Sequence, residues 1–163
     1  MSKIEQTFRA SRGTLIAVFA LTVVNLVLSI MNSDLHFLFS ANLSLIALYS
    51  NSAWDWVTGD YVFSTVGIAL AFLAALPYLA LWFASAKNKM WIAVGLGYFV
   101  IDIIVFAVLL GRAWGAFETD ISFIIELVFL GWILVSLVLG TKAWLDSKKL
   151  PPSEPPTPPQ NHM

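Results

Sequence analysis

Cysteine is absent from this chain, which excludes disulfides, thiol nucleophiles and thiolate metal sites together. Histidine occurs only as His36 and His162, both outside the long apolar runs. That removes histidine-based metalloprotease sites and leaves a serine–histidine dyad only if His36 dips inward. Charge is also scarce: 12% of the residues carry one, whereas a soluble domain is nearer about a quarter charged. An ordinary globular enzyme, a disordered chain and a nucleic-acid binder with a basic face are thereby set aside. No phosphate-binding glycine loop or dinucleotide fingerprint is present. No cofactor and no nucleic-acid partner are expected.

What the chain does have is apolar residues, 59% of its 163, and a mean hydropathy of +0.81. They collect into four stretches, at about 14–31, 61–86, 90–111 and 121–145. Each approaches or exceeds the roughly 20 helical residues that cross a bilayer. Isolated strands would leave backbone groups unpaired in lipid, so the spans are expected to be helices. The fold class expected is an all-α membrane protein, a four-helix bundle. Residues 1–13 form a short polar lead. Residues 146–163, with six of the seven prolines, form an extended tail.

Basic residues set the orientation. Lys3, Arg9, Arg12, Lys87, Lys89, Lys142, Lys148 and Lys149 fall on one side when the spans alternate, and only Arg112 on the other. Both termini are expected in the cytoplasm. Trp54, Trp56, Tyr61 and Trp114 then mark the outer interface, and Trp82, Trp91 and Trp144 the inner one. Trp132 falls mid-span, where it packs between helices or faces lipid.

Residues 35–49 (LHFLFSANLSLIALY) are apolar but too short to cross, with both flanks on the outer side. His36, Ser40 and Ser44 recur every four residues, as on one helical face. The segment is expected to be an outer amphipathic helix capping the bundle, or alternatively a re-entrant piece.

Ionisable groups in hydrocarbon cost about 2.5–3.5 kcal/mol each on insertion scales, which makes them functional candidates. Asp102, in VIDIIVF, is the clearest, with no basic residue in any span at its depth. It reads either as glue between helices or as a protonatable site. Glu126 lies about five residues into the last span, within reach of Arg112, and the two are expected to pair, with Glu118 and Asp120 competing for the same arginine. Asn25, Ser64 and Thr65 occupy the same outer slab, so Asn25, Asp102, Glu126, Arg112, Ser64 and Thr65 make a candidate polar cluster. Small residues every four positions (Gly67, Ala71 and Ala75; Ala93 and Gly97; Ser136 and Gly140) suit close helix packing. Pro77 is expected to kink the second span.

The run TVVNLVLSIMNSDLHFLFSANLSLIAL, with Asn25 and His36–Ala41 (HFLFSA), resembles a family of uncharacterised small four-span proteins of Gram-positive bacteria. His36 stands where that family more usually has tyrosine. The later IDIIVF, ETDISF and GTKAW segments match in order and spacing. The resemblance implies a bacterial plasma membrane and no known activity. The expected function is a non-enzymatic accessory or assembly component of a membrane complex, with lipid and a membrane-protein partner or a second copy around it. The alternative is a small oligomeric transporter or channel that uses Asp102 as its protonatable site.

Overall fold

The computed structural model describes residues 3–33, 41–112 and 121–149, and for 109–112 and 121–123 the backbone alone. Five helices and one hairpin follow in the order α1 (Lys3–Ile30), α2 (Asn42–Tyr49), β1 (Ser52–Asp55), β2 (Asp60–Phe63), α3 (Thr65–Lys87), α4 (Trp91–Arg112) and α5 (Ile121–Lys149). Four of them, α1, α3, α4 and α5, are long and apolar enough to cross a membrane. The all-α, four-span architecture expected from hydropathy is therefore the one adopted. His36, Trp114, Glu118, Asp120, the first part of the 35–49 segment and the tail from 150 onward lie outside the described residues, as does the Arg112 side chain.

The four long helices run alternately up and down. One end of the bundle carries the tight α3–α4 turn, the other the β-hairpin. α1 packs against both α3 and α5, and α4 closes the ring between them. The main core comprises Leu15 and Val18 of α1, Tyr78 and Leu81 of α3, Ile92 and Phe99 of α4, and Ile133 and Leu137 of α5, among others. A second cluster, Leu26, Leu48 and Ala71, joins α1, α2 and α3 nearer the hairpin end.

Three boundaries differ from the sequence reading, one of them at the end of α5, which runs on to Lys149 so that 146–149, read as the start of the tail, are helical. α1 begins at Lys3, so the polar lead is the first turns of the same helix. The reason is packing: Phe8 and Ser11 are buried, continuing the inward face of Leu15 and Val18 at helical spacing. The second span begins at Thr65. Tyr61–Phe63, read as its first turn, belongs to β2 instead. β1 and β2 pair antiparallel, with Trp54 opposite Tyr61 and Asp55 opposite Asp60. Trp54, Tyr61, Phe63 and Tyr49 then form one aromatic ladder with edge-to-face centroid distances of 4.9–5.4 Å.

The hairpin is pinned to the end of α1 by one side chain. Ser64 N–H donates to Asn51 C=O (3.1 Å), and that register leaves Tyr61's own N–H and C=O pointing away from β1. Asn32 takes both: its Nδ2 donates to the Tyr61 carbonyl at 3.2 Å, and its Oδ1 accepts from the Tyr61 N–H at 3.3 Å. Asn32 has φ +49°, a left-handed conformation that asparagine tolerates better than most residues.

Of the small-residue stripes, Gly67, Ala71 and Ala75 are buried together, and a Cβ on Gly67 would lie 2.6 Å from Asn51 Cβ. Gly140 seats Ser11 of α1, whose hydroxyl reaches the Ser136 carbonyl at 2.6 Å. The stripe in α4 is different from the one expected. Ala93 and Gly97 are not the packed positions; Gly95 is, against Leu15. The buried face of α4 is Ile92, Gly95, Phe99 and Asp102, at spacings of three, four and three, and Gly97 falls off it. Trp132 is 57% exposed and faces outward from α5. The helix α3 runs through Pro77, which offers no N–H to the Leu73 carbonyl four residues earlier, and the Tyr98 hydroxyl donates at 2.7 Å to the adjacent carbonyl, of Ala74.

Candidate functional site

α2 begins with a difficulty. Its first N–H groups have no intrahelical acceptor, and its N-cap residue is Ala41, which has no side-chain oxygen to offer. The acceptors come from two other helices. Asp102 of α4 takes the Asn42 N–H on Oδ2 at 3.0 Å and the Leu43 N–H on Oδ1 at 2.7 Å. The Asn42 side-chain amide adds a longer bond to Oδ2, 3.4 Å. Thr22 of α1 takes the Ala41 N–H at 2.8 Å, while its own hydroxyl hydrogen goes to Val18 C=O at 2.7 Å. Asp102 and Thr22 are both 0% exposed. A carboxylate here also meets the positive end of the α2 dipole.

The depth of this cap follows from the helix registers. Thr22 lies eight residues before the end of α1, hence about 12 Å below it at 1.5 Å per residue. Asp102 lies ten residues before the end of α4, about 15 Å below. The eight residues of α2 then climb about 12 Å back to the hairpin end. α2 therefore starts below the hairpin end and rises toward it, which matches the re-entrant alternative of the sequence reading more closely than a helix lying flat across the bundle end. An interfacial helix needs a polar face toward water; α2 instead buries Asn42, Ser44 and Leu48 against the bundle.

The candidate cluster is only partly brought together. Asn25 is buried on α1, one turn above Thr22 and in line with it and Ser29. Ser64 and Thr65 are exposed at the start of α3, away from Asp102; Ser64 is the N-cap, accepting the Gly67 N–H at 3.0 Å. Glu126 is half-buried on α5 and takes no part in holding Asp102. Its expected pairing with Arg112 lies outside the described residues. Thr22 and Asn42 are the site residues that the sequence reading missed. The available signal was the three-four spacing of Thr22, Asn25 and Ser29 along α1.

Three buried hydroxyls, of Ser29, Ser44 and Tyr78, have no hydrogen-bond partner among the described residues. Tyr78 stacks edge-to-face on Tyr98 at 5.0 Å. No group of three or more histidine or carboxylate side chains among the described residues is placed to hold a metal. Chemically, the site presents Asp102 as an acceptor for three N–H bonds. Comparison of the chain with family models, curated proteins and solved structures finds no match.

Proposed function

We propose that the protein is a non-enzymatic accessory or assembly component of a membrane complex, in the plasma membrane of a bacterium, with both termini cytoplasmic. The observation that carries this reading is the use made of Asp102. The most expensive side chain in the spans holds the start of α2, through bonds of 2.7 and 3.0 Å to two backbone N–H groups. Its bonds make a rigid outer end, in which α2 and the hairpin are tied to α1 at Thr22 and Asn32. The lateral faces are wide and apolar by contrast. On α5, Val128, Trp132 and Val135 point outward, and a lateral recess of about 300 Å³ lies between α1 and α5 beside Gly13 and Trp132. Such faces meet lipid, a second copy or another membrane protein.

The transporter alternative needs Asp102 free to exchange a proton with a pathway, and three donors on its carboxylate speak against that. Mild solubilisation of native membranes followed by mass spectrometry tests the proposal. A stoichiometric membrane-protein partner, or a defined homo-oligomer, is the expected result. A lone monomer under every mild condition would sink the reading. Proton flux into proteoliposomes that is lost in Asp102→Asn would favour the alternative.

A further inference from the structure

The end of the bundle opposite the hairpin concentrates positive charge. Lys3, Arg9, Arg12, Lys87, Lys89, Lys142, Lys148 and Lys149 belong to it, against Glu5 and Asp146 within the helices. The three ion pairs among the described residues are Glu5 with Arg9 and with Lys89, and Asp146 with Lys149. Arg12 is in none of them, although it is half-buried. It is nevertheless held still. Its Nε donates to Ser85 Oγ at 3.1 Å, one terminal nitrogen donates to the Trp82 carbonyl at 3.4 Å, and the guanidinium lies 5.6 Å from the Trp82 ring centroid. Ser85 is itself buried and donates its hydroxyl hydrogen to Trp82 C=O at 2.8 Å, so the seat is formed within α3.

Arginine offers five N–H donors, and these contacts occupy two, which leaves a fork for an oxyanion. Ser85 lies three residues before Asn88 in the α3–α4 turn, about 4.5 Å inside it at 1.5 Å per residue. The seat thus lies one helical turn inside the end where the apolar span gives way to the cationic residues, and phospholipid headgroups occupy roughly 5–7 Å beyond the hydrocarbon on each side. The geometry points to a phosphate-binding site at Arg12, on the Trp82–Ser85 seat, that takes the headgroup of an anionic phospholipid. The surplus of cations around it selects an anionic over a zwitterionic lipid.

The test uses the full chain, purified in a neutral detergent and followed by thermal unfolding. It is titrated separately with dioleoyl-phosphatidylglycerol, dioleoyl-phosphatidylcholine and inorganic phosphate. The wild type is expected to be stabilised by phosphatidylglycerol at a midpoint about five-fold lower than for phosphatidylcholine. Arg12→Gln loses that preference, whereas Lys87→Gln, which removes one surrounding exposed cation and leaves the fork, lowers it only in part. Arg12→Lys retains the charge without the fork, and serves if the glutamine variant does not fold; its phosphatidylglycerol midpoint rises. A preference unchanged in either Arg12 variant overturns the site. Saturation by inorganic phosphate alone, to the same shift, overturns the lipid as its ligand.

Discussion

Removing the Asp102 carboxylate is the sharpest test of how α2 is held, and two variants separate charge from hydrogen bonding. Asp102→Asn and Asp102→Ala both abolish the charge, so the cost of burying it cancels in their difference. Asparagine keeps one carbonyl-type oxygen, which can still accept the 2.7 Å bond from the Leu43 N–H, while its Nδ2 replaces the oxygen that accepted from Asn42 and offsets part of that gain. Alanine accepts nothing, and leaves Leu43 as well as Asn42 with an unpaired N–H. A buried donor without a partner costs about 1–3 kcal/mol, so the alanine variant is less stable than the asparagine one by roughly that amount. For a chain of this size the melting temperature falls by at least about 2 °C between the two. The local reading is more direct. Hydrogen exchange at the Leu43 amide should quicken by about 5- to 150-fold from Asp102→Asn to Asp102→Ala, as 1–3 kcal/mol converts. Exchange at Asn42 and Leu43 that is the same in wild type and Asp102→Ala would refute the assigned cap.

Other perturbations probe other contacts. Thr22→Val removes the acceptor for the Ala41 N–H while keeping shape, and should cost about 1–3 kcal/mol in chemical denaturation; no change would show that the bond does not hold the entry to α2. Asn32→Gly keeps the left-handed backbone but releases the hairpin, whereas Asn32→Ala loses the side chain and adds roughly 1–2 kcal/mol of backbone strain. Proteolysis between β1 and β2 should therefore quicken in both, and alanine should melt lower. Gly67→Ala places a Cβ 2.6 Å from Asn51 Cβ and should destabilise by about 1–3 kcal/mol. Gly13→Ala, where nothing lies within 4 Å, should be neutral or stabilise by about 0.5–1 kcal/mol. Equal melting shifts in these two glycine variants would contradict the packing assigned to α2 against α3.

The spans were legible because crossing a bilayer requires long apolar runs, and composition alone carries that signal. The hairpin was not. Tyr61, Val62 and Phe63 continue the apolar run of α3, and strand pairing depends on a partner that hydropathy does not register. Asp102 stood out as costly, but the groups that stabilise it are backbone N–H groups of Asn42 and Leu43, which any residue except proline supplies. Its use was therefore invisible in the sequence. Ser64 shows the opposite error. A hydroxyl near the outer end of a span was read as part of a polar cluster, whereas Ser64-x-x-Gly67 is a helix start in which the serine caps its own backbone.

The cap on α2 also has a consequence for the order in which the spans are expected to assemble. Asp102 lies 60 residues downstream of Asn42, on the third of the four spans to be synthesised. When α1 and α3 have entered the bilayer and α4 has not, Thr22 is available to Ala41, but Asn42 and Leu43 have only water as an acceptor. Hydrocarbon would leave those groups unpaired, so the α2 segment waits at the aqueous surface until α4 arrives. Its docking is then expected to be a late step, a post-insertional closure that joins the first half of the chain to the second. A truncation ending after α3 would expose the α2 segment to water-soluble labelling reagents, and one ending after α4 would begin to protect it.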